Sequence, residues 1–211
     1  MIRVLIADDH PIVRRGLRQI LCETDDIVVV DEAQDCAEAL EKLDRQRFDV
    51  LLLDISMPGR GGIDVLIEIR SSGIKIPALM LSIFPEDQYA VRALKSGASG
   101  YLTKNCDAET LIEAIRKVAS GGKYVSAEMG ERLASSLQRD DGKPPHELLS
   151  DREFEVLKQI ASGKSTREIA VAMSLSVQTV STYLSRIRQK TQLKSTAGIT
   201  AYALKNRLLD F

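Results

Sequence analysis

Five short apolar runs, separated by stretches with helical spacing, constrain the first 120 residues more than any other feature. The runs are Ile2–Ala7, Ile27–Val30, Val50–Leu53, Ala78–Leu81 and Tyr101–Leu102. A strand with one wet face would alternate apolar and polar residues, so these runs predict strands covered on both faces. Between them, apolar residues recur at helical intervals, as in Ile12, Leu17, Ile20 and Leu21, or Leu111, Ile115 and Val118. Repeated strand–helix units predict a parallel sheet with helices on both faces and right-handed crossovers. In such sheets, chemistry gathers beyond the C-terminal ends of the strands.

The pattern changes after a polar stretch, Gln138–Glu147, which contains Pro144-Pro145 and reads as a linker. Beyond it the strand signal disappears. Ser150 with Glu153, and Ser165 with Glu168, are capping boxes that each open a helix. Ser176 can cap a third helix, and a fourth is expected from about Thr196 to Asn206. Another helix, Ala127–Leu137, is expected to bridge the two halves. The expected divisions are therefore 1–122, 123–147 and 148–211. Charge divides the same way: Leu148–Phe211 holds ten Lys/Arg against five Asp/Glu, net +5, and the remainder is net −6. An acidic front and a basic back suggest different partners, the second a polyanion.

Composition removes several classes. No run approaches the roughly 18 apolar residues of a membrane span, and Met1-Ile2-Arg3 leads quickly to Asp8-Asp9 rather than to a signal-peptide core. A cytoplasmic chain with no membrane partner is expected. The three cysteines, Cys22, Cys36 and Cys106, are odd in number and widely spaced, unlike a disulfide framework or zinc site. With only His10 and His146, an all-histidine metal site is also disfavoured.

The predicted strand ends carry Asp8-Asp9, Asp54, Ser82 and Thr103-Lys104. Three carboxylates at one end of a sheet repel one another unless a cation bridges them, and hard oxygen ligands suit Mg2+. Asp8, Asp9 and Asp54, with the backbone carbonyl of Ser56, are the candidate ligands. Lys104 adds a point charge for an anion and Ser82 a hydroxyl donor. The set fits phosphoryl transfer to Asp54.

The stretches IADDHPIVRRGL, LLLDISMPGRGGID, LSIF and GASGYLTK resemble the receiver domain of NarL/FixJ-type two-component response regulators, over about residues 1–120. The resemblance implies a flavodoxin-like, doubly wound (βα)5 fold and Asp54 as phosphoacceptor. It also implies Asp8 and Asp9 as metal-binding acids, Lys104 as the phosphoryl-contacting lysine, and Ser82 with Tyr101 as a switch pair. The donor would be a phosphohistidine on a sensor histidine kinase. A new phosphoryl group would draw the Ser82 hydroxyl inward and let the Tyr101 ring turn in behind it. Phe84, two residues beyond Ser82, is expected to slow hydrolysis of the aspartyl phosphate.

The segment LSDREFEVLKQIASGKSTREIAVAMSLSVQTVSTYLSRIRQK resembles the LuxR-type four-helix, helix-turn-helix DNA-binding domain, from about Leu149 to Leu208. The resemblance implies a recognition helix, Val177–Thr191, in the major groove of double-stranded DNA. It places Ser181, Thr182 and Ser185 toward bases, beside Thr179. Lys164, Arg167, Arg186, Arg188 and Lys190 flank the hairpin where phosphates would lie. The last helix, with Ile199, Tyr202 and Ala203, corresponds to the family's dimer interface. Where the family usually has Lys and His after Thr-Val, this chain has Ser181 and Tyr183, so long cationic forks to guanine are missing from those positions.

Together these features predict an α/β domain followed by an all-α domain. The expected protein is a transcription regulator rather than an enzyme, phosphorylated on Asp54, dimeric when phosphorylated, with DNA and RNA polymerase as partners. A haloacid-dehalogenase-type phosphatase would need an acid two residues after its nucleophile, and that position is Ser56. A constitutive DNA binder would normally lack part of the acid–lysine set. An acyl-lactone sensor is disfavoured by the absence of Trp and of a cavity pattern.

Overall fold

The alternation resolves into five parallel strands in the order β2-β1-β3-β4-β5. The computed structural model describes residues 1–57, 61–84, 86–126, 129–131, 144–173, 175–206 and 208–209, without the side chains of 86–88, 147 and 151. The chain divides into two units, Met1–Arg139 and Asp140–Phe211.

In the first unit, β1 (Ile2–Ala7), α1 (Pro11–Cys22), β2 (Ile27–Ala33), α2 (Cys36–Arg45) and β3 (Val50–Asp54) lead into α3 (Gly62–Ser71) and β4 (Ala78–Ser82). Then come α4 (Glu86–Lys95), β5 (Gly100–Thr103) and α5 (Ala108–Ala119). Val4, Ile6, Leu52, Leu79 and Leu81 of the sheet pack with Leu21 of α1 and with Leu111, Ile115 and Val118 of α5. The alternate residues Leu5, Leu51, Leu53 and Met80 are also buried, so both faces are covered as the unbroken apolar runs require.

β2 runs three residues further than its apolar stretch suggests, through Asp31, Glu32 and Ala33. It lies at the sheet edge, where polar side chains need not be excluded. Lys42 of α2 pairs with Asp31 at 2.7 Å, and Arg14 and Arg18 of α1 pair with Glu32. The register with β1 shifts between Val4 and Leu5.

The second unit contains a 3-10 turn at Pro145–Leu148, then α6 (Asp151–Ala161), α7 (Thr166–Ala172), α8 (Val177–Thr191) and α9 (Thr196–Lys205). Ser150 and Ser165 form the two reciprocal capping boxes, and Ser176 accepts from the Thr179 N–H at 3.0 Å. The expected bridging helix has only 129–131 among the described residues, where the backbone is helical. Residues 138–143 of the expected linker lie outside them, and its end is the 3-10 turn.

Candidate functional site

The order β2-β1-β3-β4-β5 brings the ends of β1, β3, β4 and β5 together, and with them the acids, the serine and the lysine that are far apart in sequence. Asp8 and Asp54 are each 1% exposed and Ser82 is fully buried. The Lys104 ammonium lies 2.7 Å from Asp8 Oδ2 and 3.0 Å from Asp54 Oδ2. Its backbone N–H donates to the Ser82 carbonyl at 2.7 Å, which ties β5 to β4 beside the pocket.

One lysine does not neutralise three acids. Ligand atoms of Asp8, Asp9, His10 and Asp54 all lie within 4.8 Å of one another. Asp54 Oδ1 is buried without a hydrogen-bond partner among the described residues. A buried, orphaned carboxylate oxygen is costly, and a cation would satisfy it. The donor set therefore fits a divalent ion. Burial raises the Asp54 pKa, with Asp8 adding to the rise and Lys104 opposing it. Burial pulls the Lys104 pKa down, but the Asp54 and Asp8 carboxylates outweigh it and hold the ammonium above its ordinary value.

Gly62 lets α3 begin against this site. A Cβ there would lie 2.0 Å from the Asp54 carbonyl oxygen, and the Gly62 N–H donates to the Ile55 carbonyl at 2.8 Å. Ser56, the expected carbonyl ligand, follows β3 in the same loop and is half-buried.

Ser82 Oγ accepts from the Phe84 N–H at 3.0 Å. Tyr101 is already inside, 2% exposed, and its hydroxyl donates to the Phe84 carbonyl at 2.9 Å. The Phe84 ring stacks on Tyr89 of α4 with centroids 4.9 Å apart. The segment after Ser82 thus links β4, α4 and β5.

In the second unit, Val180, Ile187 and Thr191 turn the inner face of α8 into the core. Ser181, Thr182, Ser185, Arg186, Arg188 and Lys190 are exposed, as are Lys164 and Arg167, and Thr179 is half-buried. The Ser181 and Thr182 hydroxyls donate to the carbonyls of Val177 and Gln178 one turn back. Lys190 is also engaged: its ammonium lies 2.6 Å from Oε2 of Glu153, which is 2% exposed. The same carboxylate oxygen accepts from the Ser150 N–H, so a cap of α6 is joined to the end of α8.

Two of the three expected dimer residues require a correction. Ile199 and Ala203 are fully buried where α9 packs on α6, so they belong to the core of their own unit. The Tyr202 hydroxyl lies 2.8 Å from His146 Nδ1. The outward residues of α9 are Ala197, Ala201 and Leu204, with the polar Thr196 and Lys205.

Residues 4–116 match the response regulator receiver domain, and residues 147–203 match the bacterial regulatory proteins of the luxR family. The chain belongs to the response regulators. It is a two-component response regulator with a LuxR-type DNA-binding domain, a transcription-factor family rather than an enzyme family. It is 38% identical to the oxygen regulatory protein NreC of Staphylococcus carnosus over 216 residues, covering 99% of this chain and 100% of that protein. The response regulator ChrA of a heme-sensing two-component system is 33% identical, with TM-score 0.51 and 98% of both chains covered. RcsB of Salmonella enterica serovar Typhimurium, bound to a promoter in the presence of phosphomimetic BeF3-, is 26% identical, with TM-score 0.59 over 95% of this chain and 97% of that one. Another RcsB structure contains two dimers bound to two parallel DNAs, at 26% identity and TM-score 0.59 over 96% of this chain and 98% of that one.

Two participants in this response regulator carry little signal in the sequence alone. His10 stands in the acid cluster, its Nδ1 2.7 Å from Asp9 Oδ1. Its signal was its place directly after Asp8-Asp9. Glu153 has a local signal as the capping partner of Ser150, but nothing local in the sequence marks its tie to Lys190. No helix among the described residues is long and apolar enough to cross a membrane.

Proposed function

We propose that Asp54 is the phosphoacceptor of this regulator and that its phosphorylation controls DNA binding by the C-terminal unit. The reading assigns 1–122 to the receiver, 123–147 to the connection and 148–211 to the DNA-binding domain. The observation that carries it is the buried Asp54 carboxylate, with one oxygen orphaned and the other 3.0 Å from Lys104, inside a cluster of acids.

An Asp54 oxygen attacks phosphorus while the P–N bond to a sensor kinase's histidine breaks, giving an acyl phosphate and a freed imidazole. Asp8, Asp9, Asp54 and the Ser56 carbonyl would hold Mg2+, which when bound offsets charge on the phosphoryl oxygens. Lys104 then exchanges part of its carboxylate pairing for a phosphoryl oxygen. Ser82 turns its hydroxyl from the Phe84 N–H toward the same group, and the Tyr101–Phe84 hydrogen bond passes the change to β5 and α4.

Phosphorylation favours a dimer whose paired α8 helices occupy successive major grooves. Ser181, Thr182 and Ser185 face bases from the exposed side of α8. Arg186, Arg188, Lys164 and Arg167 reach phosphates. RNA polymerase is the further partner at a promoter. The direct test is DNA binding by wild type and Asp54→Ala, each with and without acetyl phosphate and Mg2+. Phosphodonor-dependent tightening only in the wild type is expected; equal tightening of both proteins would overturn the proposal.

A further inference from the structure

We propose that His10 supplies a nitrogen donor to the cation pocket, so that the pocket holds Mn2+, Co2+ and Zn2+ more tightly than its carboxylates alone would, besides accepting Mg2+. The inference rests on the reading of the acid cluster as a divalent-cation site. It adds a ligand and an ion class to that site.

The pocket is more than a patch of acids, because Asp54 is 1% exposed and its Oδ1 has no hydrogen-bond partner among the described residues. A ring nitrogen of His10 lies within the same 4.8 Å cluster as carboxylate oxygens of Asp8, Asp9 and Asp54. The backbone holds it there. Its N–H donates to Asp8 Oδ1 at 2.8 Å, and Pro11 follows at the first position of α1. Although His10 is the N-cap residue of α1, its side chain makes no capping hydrogen bond; instead its Nδ1 lies 2.7 Å from Asp9 Oδ1 and 3.3 Å from Asp8 Oδ1. The ring is 62% exposed, so it can reorient about a root fixed beside the acids.

An all-oxygen pocket favours hard ions such as Mg2+. Imidazole favours borderline ions, for which affinity rises along the first-row series toward Co2+ and beyond. A mixed carboxylate–imidazole set therefore widens the ion class that the receiver accepts. Its assignment is unambiguous, because the only other histidine, His146, belongs to the C-terminal unit and is bonded to Tyr202 there.

The test uses full-length protein loaded with Mn2+ and read by pulsed electron paramagnetic resonance, with Co2+ and Mg2+ affinities from calorimetry. Imidazole nitrogen coupling to Mn2+ is expected in the wild type and in His146→Ala, and is lost in His10→Ala. Co2+ affinity falls at least about tenfold in His10→Ala, since even a group that only orients a metal ligand is worth about 10–100-fold, while Mg2+ affinity is nearly unchanged. If Mn2+ binds, is displaced by Asp54→Asn and shows no imidazole coupling, the His10 inference fails and the cation site stands. Coupling lost in His146→Ala instead also overturns it. If Mn2+ does not bind, or binds equally well to Asp54→Asn, the cation site itself fails and the inference with it.

Discussion

Replacing Asp54 with Asn should stabilise the unphosphorylated, metal-free receiver, although it removes the residue on which signalling depends. Carboxylate oxygens of Asp8 and Asp9 lie no more than 4.8 Å from Asp54. At an effective dielectric of about 20, each such repulsion is about 3.5 kcal/mol. Lys104, at 3.0 Å, returns about 5.5 kcal/mol on the same scale. Burial, the largest cause of the raised Asp54 pKa, disfavours the ionised form, and the balance of charges leaves about 1.5 kcal/mol more against it. Asp54→Asn keeps the shape and removes the charge, so the expected gain is about 1–2 kcal/mol, or an upward shift of about 3–8 °C in the receiver transition. The assay is calorimetry of the full chain in EDTA across pH.

The pH dependence has a definite sign. Asp54 has a folded pKa raised above its ordinary 3.8. Its own contribution to stability is therefore fully present below 3.8 and is lost as pH rises through the raised folded value. The advantage of Asn should be full at neutral pH and shrink on acidification. A variant that is less stable at pH 7 in EDTA, or one whose advantage grows toward acid, would refute the reasoning.

Four further outcomes follow from other residues. Gly62→Ala should cost about 1–3 kcal/mol, because its Cβ would meet the Asp54 backbone rather than a movable side chain; unchanged thermal stability would contradict that crowding. Arg188→Ala should weaken binding to all DNA sequences and lower the salt slope by about 1, with stability unchanged. Lys190→Ala should lower the stability of the C-terminal unit by about 1–2 kcal/mol, less than a fully buried pair because Lys190 keeps 40% exposure; identical behaviour of the two variants in both assays would argue against separating their roles. Phe84→Ala should shorten the lifetime of the aspartyl phosphate, measured by decay of the labelled protein, and an unchanged or longer lifetime would contradict a role of Phe84 in slowing hydrolysis.

Much of the receiver was legible because its central strands are apolar without interruption, a pattern that sheets covered on both faces impose. The strand ends then named Asp8, Asp9, Asp54, Ser82 and Lys104, and the sheet order places them in one pocket. The last residues of β2 were not legible, since an edge strand carries Asp31 and Glu32 on terms that a buried strand does not. Helix starts in the C-terminal unit were legible where a serine and a glutamate three residues on satisfy each other's backbone donors. The partners of an apolar stripe were not. Ile199 and Ala203 have helical spacing, but spacing does not say whether the covering surface is α6 or a second copy, and it is α6. The Glu153–Lys190 pair bridges residues 37 apart, beyond any local pattern.

The most direct measurement is the intact mass of the full-length protein after brief incubation with acetyl phosphate and Mg2+ at neutral pH, followed by peptide mapping. The account predicts one added phosphoryl group on Asp54, absent without Mg2+ and absent from Asp54→Asn. An unchanged wild-type mass, or a phosphoryl group mapped to another residue, would contradict it.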